Sequence, residues 1–132
     1  MKDGDWELQR DMVKELPGKK ADAVILAPAD SSNMTASAKT LREQKLPVFL
    51  VDTALSSNDY DAAFLTDNLE AGAEVCQQMV EQMKASGVKE SEEATVLVHV
   101  STLASTTISD RLNSIMANWG KFASASWKIE HD

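Results

Sequence analysis

Several short runs in this chain are apolar at every position, and helix-period segments separate them. The clearest is Ala23-Val24-Ile25-Leu26-Ala27, and Val48-Phe49-Leu50-Val51 repeats the form; the segment Thr95 to Val100 is apolar from Val96 to Val98, with His99 before its last valine. A half-buried strand alternates apolar and polar residues. A strand without alternation is expected to be covered on both faces, as in a parallel sheet between helix layers. Strands alternating with helices then imply a mostly parallel sheet with helical crossovers.

The segments between the runs agree. Leu8, Met12, Val13 and Leu16 share one helical face, and Pro17-Gly18 ends that helix. Asp30, Ser31, Ser32 and Asn33 offer caps for a second helix reaching to about Lys45. A short run, Ala62 to Leu65, precedes Thr66-Asp67-Asn68. A long helix over about 69–86 carries Leu69, Gly72, Cys76, Val80 and Met83, and Gly87 stops it. Ile108, Leu112, Ile115, Trp119 and Phe122 mark a fourth helix, and Trp127 begins a last strand. The expected order is α-β-α-β-β-α-β-α-β. It opens on a helix with no strand before it and closes on a strand with no helix after it, as if both ends were cut.

Composition narrows the function. At 132 residues, 43% hydrophobic and 26% charged, the chain has the balance of a globular domain. A net charge of -8 makes nucleic acid and anionic membrane surfaces poor partners. Cys76 is the single cysteine, so no internal disulfide or cysteine-built metal site is expected. The residues Met1 to Asp5 are polar, and no signal region or spanning helix is expected in this chain.

In open α/β sheets ligands sit beyond the carboxyl ends of the strands. Here those ends are Pro28 to Ser32, Asp52-Thr53, Thr66 to Asn68 and Ser101 to Thr107. They are rich in hydroxyls, amides and carboxylates, which suit a polar ligand with many hydroxyls. They suit equally the capping of helices and turns. The spacings of a nucleophile elbow, a phosphate loop and a dinucleotide fingerprint are missing. No catalytic residue and no cofactor is therefore expected. His99 reads as a buried strand histidine, unless the strand ends early. His131-Asp132 resembles a metal-binding pair but has no second histidine close in sequence, so no metal site is assigned.

Three segments resemble, in order and spacing, periplasmic sugar-binding proteins of the ribose-binding type. They are Ala21 to Ser31, Leu46 to Thr53 and Thr66 to Gly72. The resemblance covers nearly the whole chain, although members of that group are more than twice as long. It implies a partial two-lobe α/β fold. Residues 1–66 would be part of a first lobe lacking its first strands. Residues 67–132 would be the hinge crossing and the truncated start of a second lobe.

The resemblance also implies function. The chain would belong to the substrate-binding component of an ABC-type sugar transport system, holding a sugar-like solute in an interlobe cleft without chemistry. Its partners would be that small molecule and a membrane permease. The parent protein would lie in the periplasm or, lipid-anchored, at the outer face. Asp52 takes the place of the aspartate that accepts hydrogen bonds from sugar hydroxyls; Thr53 stands where an arginine is frequent. Arg111 matches the second arginine of a helix-start motif whose first arginine and glycine are replaced here by Ser109 and Ser114. Asp52, Thr53 and Arg111 are the expected ligand contacts, with turn capping as the plain role for Asp52 and a surface ion pair with Asp110 or Glu130 for Arg111. The alternative function is the effector-sensing domain of a lactose-repressor-type regulator. Exposed strand edges and apolar faces predict that the isolated chain self-associates and binds sugar weakly.

Overall fold

A computed structural model describes residues 5–132. Its elements, in chain order, are α1 (Trp6–Lys14), a short 3-10 turn (Pro17–Lys19), β1 (Val24–Leu26), α2 (Thr35–Glu43), β2 (Val48–Val51) and β3 (Ala62–Phe64). Then follow α3 (Asn68–Ala85), β4 (Ala94–Val98), α4 (Thr106–Phe122) and β5 (Trp127–His131). All strand pairs are parallel. β1, β2 and β3 form one sheet in that order, and β4 pairs with β5 in a second.

The chain folds as two compact units. One runs to Thr66 and takes in Ala104–Thr107; the other comprises Asp67–Leu103 and Ile108–Asp132. Each has its own core.

In the first unit the register places Val24, Leu26, Val48 and Leu50 on one face of the sheet. They pack with Val13, Met34, Ala38, Leu41 and Leu55, contributed by α1, α2 and the adjoining loops. Met34, Leu50 and Val48 are wholly buried. The Asp61 carboxylate fastens the β2–β3 connection. It accepts from the Val48 N–H at 2.8 Å and pairs with Arg42 at 3.3 Å.

The opposite face of this sheet differs from expectation. Register and alternation put Ile25, Phe49, Val51, Ala62 and Phe64 together on it. Ile25 is 77% exposed and Phe64 69%. The runs are apolar on both sides, as the sequence shows, but only one side is buried in the described chain.

In the second unit Cys76 and Val80 of α3 meet Trp119 of α4 and Trp127 of β5, with Val96 and Ile129 beside them. The Trp119 indole N–H donates to the Trp127 carbonyl at 3.2 Å, which satisfies its buried polar atom. Burial raises the pKa of the Cys76 thiol. The Asp67 carboxylate caps α3 by accepting from the Glu70 N–H at 3.0 Å. At the other end Gly87, with φ 92, donates its N–H to the Lys84 carbonyl, and Val88 donates to Met83. That pair of bonds is a Schellman motif, which needs a residue tolerant of left-handed backbone.

Candidate functional site at the strand ends of the first unit

β2 ends at Val51, and Asp52 follows directly. Its backbone is left-handed, with φ 67. Aspartate is among the few non-glycine residues that tolerate this region. The turn carries the chain away from the sheet and leaves Asp52 exposed, while Thr53 folds under it and is 4% exposed. The Asp52 N–H still reaches β3, donating to the Phe64 carbonyl at 3.1 Å.

Hydroxyls gather around this turn. The Thr53 hydroxyl donates to the Asp52 carboxylate at 3.2 Å. It also lies 3.3 Å from the Thr107 hydroxyl and 3.4 Å from that of Ser105. Thr107 donates to the Asp52 backbone carbonyl at 2.8 Å. Ser105 and Thr107 are themselves buried. Beyond the end of β1, the Ser31 N–H donates to the Ala104 carbonyl, and the Thr106 N–H donates to the Ser31 hydroxyl. Ser32 and Ser56 exchange a hydroxyl bond at 3.0 Å.

Asp30 supports the same rim. Its carboxylate accepts from the Ser32 N–H, the Asn33 N–H and the Asn33 side-chain amide. Burial alone would raise its pKa. The three hydrogen bonds outweigh burial and hold the carboxyl below its ordinary value.

Thus the first unit brings together Asp52 and Thr53 and adds Ser105 and Thr107, which sequence reading located only as part of a hydroxyl-rich strand end. An exposed carboxylate at the carboxyl end of a parallel strand can accept from the hydroxyls of a neutral polyol, and the buried hydroxyls beneath it hold its turn.

Arg111 belongs to the second unit. It is exposed on α4 and borders an open, largely apolar depression of about 440 Å³ lined also by Val98, His99, Ile108, Leu112 and Ile115. None of the described ion pairs includes it, so the expected partners Asp110 and Glu130 do not hold it.

His99 departs from the expected buried position. β4 ends at Val98, and the imidazole stands 80% exposed with Nδ1 2.8 Å from the Asp132 carboxylate. The contact with His99 lowers the pKa of Asp132. Among the described residues no cluster of three or more His, Cys, Asp and Glu is placed to hold a metal ion. Nor is any described helix long and apolar enough to cross a membrane.

Comparison with solved structures places the fold. An ABC transporter solute-binding protein from Agrobacterium vitis, with bound D-fucose, superposes with a TM-score of 0.80 at 22% identity. The match covers 96% of this chain and 41% of that one. A carbohydrate transporter solute-binding protein from Agrobacterium radiobacter, in complex with D-arabinose, gives 0.81 at 18% identity, over 98% and 43%. The periplasmic component of an ABC-type sugar transport system from Hahella chejuensis gives 0.78 at 22% identity, over 97% and 44%. The chain therefore spans less than half the length of the solved structures it matches. No curated protein sequence matches it. The family described as periplasmic binding protein domain matches residues 2–131, which is nearly the whole chain, and the chain belongs to that family.

Proposed function

We propose that this chain is part of the sugar-binding component of an ABC-type transport system, working at the outer side of the cytoplasmic membrane with a membrane permease as partner. The observation that carries the reading is the Asp52 turn. An exposed carboxylate stands at the end of a parallel strand with buried hydroxyls packed beneath it. A carboxylate can bind two adjacent sugar hydroxyls through charge-assisted hydrogen bonds. Family membership and the sugar-bound structural neighbours support the same ligand class. These matches add no support for a lactose-repressor-type regulator.

In this reading Asp52 and Thr53 contact the ligand, Arg111 is a further contact, and no covalent chemistry occurs. Residues 1–66 correspond to part of one lobe, and 67–132 to the crossing and the start of a second. A lipid anchor on the complete protein fits the same role. The open apolar face around Ile25 and Phe64 makes the isolated chain associate with itself.

The test is calorimetric titration of the complete protein with neutral monosaccharides, D-fucose and D-arabinose first. Saturable binding that weakens on removal of the Asp52 carboxylate is the expected result. Failure of a broad panel of neutral sugars to bind would overturn the proposal.

A further inference from the structure

We infer that Thr107 is a positioning residue for Asp52: its hydroxyl locks the left-handed turn that aims the Asp52 carboxylate at a ligand hydroxyl. The inference rests on Asp52 as a sugar contact and adds a residue to that site.

Asp52 lies in a backbone region that side chains other than glycine's adopt reluctantly, so something must hold it there. Two bonds fix the peptide groups on either side. The Asp52 N–H donates to the Phe64 carbonyl, and the Asp52 carbonyl accepts from the Thr107 hydroxyl at 2.8 Å. The first belongs to the sheet ladder. The second comes from a side chain 55 positions away in sequence, at the start of α4, within the short Ala104–Thr107 stretch that groups with the first unit.

The protons of the two threonine hydroxyls have separate destinations. A threonine hydroxyl has one proton and two lone pairs. The Thr107 proton goes to the Asp52 carbonyl, so in the 3.3 Å contact with Thr53 the Thr107 oxygen can only accept. The single Thr53 proton goes to the Asp52 carboxylate, so the Thr53–Thr107 contact carries no hydrogen bond of its own, and Ser105 is left to donate to Thr53. Thr107 thereby fixes the backbone of Asp52, while Thr53 steadies its carboxylate. The Thr107 proton is already given to the Asp52 carbonyl, so its effect passes through Asp52.

The experiment compares the complete protein with its Thr107→Val, Thr107→Ser, Asp52→Gly and Asp52→Gly/Thr107→Val variants, titrated with D-fucose and D-arabinose. Valine keeps the shape and loses the hydroxyl; serine keeps the hydroxyl. Glycine at position 52 accepts the turn and leaves no carboxylate to aim. Thr107→Val is expected to weaken binding about tenfold, and Thr107→Ser to stay within about twofold of wild type. In the Asp52→Gly background, Thr107→Val should change binding by less than about twofold. Wild-type affinity in Thr107→Val, or an equal loss in both backgrounds, would overturn the inference.

A wild-type protein that binds neither probe would count against the sugar reading instead. Hydrogen exchange of the Asp52 amide then decides the positioning role separately. Exchange faster in Thr107→Val and restored in Thr107→Ser supports it; unchanged exchange in Thr107→Val refutes it.

Discussion

Gly72 on α3 lies directly against the backbone carbonyl of Arg111 on α4. A Cβ at position 72 would stand 2.5 Å from that oxygen and 2.7 Å from the Ser114 Cβ. The Ser114 hydroxyl closes the same crossing by donating to the Leu69 carbonyl. The glycine therefore serves the packing of helix against helix.

The first prediction is a pair of glycine substitutions with opposite signs. Gly72→Ala must push α3 and α4 apart, because the obstructing atoms are largely backbone and cannot rotate away. It should destabilise the chain by about 1–3 kcal/mol, the usual cost of overpacking. At Gly120, also on α4, nothing lies within 4 Å of an added Cβ. Gly120→Ala should stabilise by up to about 1 kcal/mol through helix propensity. Urea unfolding of both variants checks the pair, and a neutral Gly72→Ala would show that the crossing is loose.

The second prediction concerns the Asp30 carboxylate. Its pKa is lowered in the fold, so the charged form stabilises the native state. That contribution is complete above the ordinary aspartate value of about 4 and is lost as pH falls through the lower folded value. Asp30→Asn replaces charged hydrogen bonds with neutral ones and should cost about 1 kcal/mol at pH 7. The wild-type and variant stability curves should draw together below about pH 4. A gap that stays constant down to pH 2 would contradict the charge argument.

The third prediction separates ligand binding from backbone strain at Asp52. With φ 67, alanine there adds strain of about 1–2 kcal/mol, whereas glycine does not. Asp52→Ala should therefore lower stability as well as affinity. Asp52→Gly should weaken sugar binding in the complete protein by about 1.5–3 kcal/mol, the scale of a lost hydrogen bond to a charged group, with little change in Tm. Calorimetry and thermal unfolding on both variants give the comparison. Full affinity in Asp52→Gly would remove the carboxylate from the site.

Sequence alone located β1 and β2 because their side chains are apolar without interruption, and it located Asp52 because a carboxylate directly after such a run must sit at a strand end. It could not supply the left-handed turn or the Thr107 bond. Both depend on how a stretch 55 positions away returns to the first unit. His99 departs from the buried position for a local reason: pairing of β4 ends at Val98, the early strand end on which its burial depends, and the ring turns outward to Asp132. The exposed face of the first sheet has another origin. An apolar residue on a strand records that it needs cover, not whether the cover lies in the same chain.

That face carries the last prediction. Ile25, Phe49, Val51, Ala62 and Phe64 share it, and Ile25 and Phe64 are mostly exposed. The corresponding outward face of the second sheet is different in kind. There Thr95, Lys128 and Glu130 surround Leu97, so charge protects it. Apolar surface concentrated in one patch favours association, and β1 and β3 are edge strands with pairing groups to offer. The isolated 132-residue chain should therefore form dimers or larger species at micromolar concentration. Phe64→Lys places a desolvation cost within a contact made through this face and should shift the chain toward monomer. Leu97→Lys, on the face already carrying charge, should leave the association unchanged. Light scattering on the three proteins decides the matter: a monomeric wild-type chain, or equal effects of the two substitutions, would show that the first sheet's open face is not what the chain uses to associate.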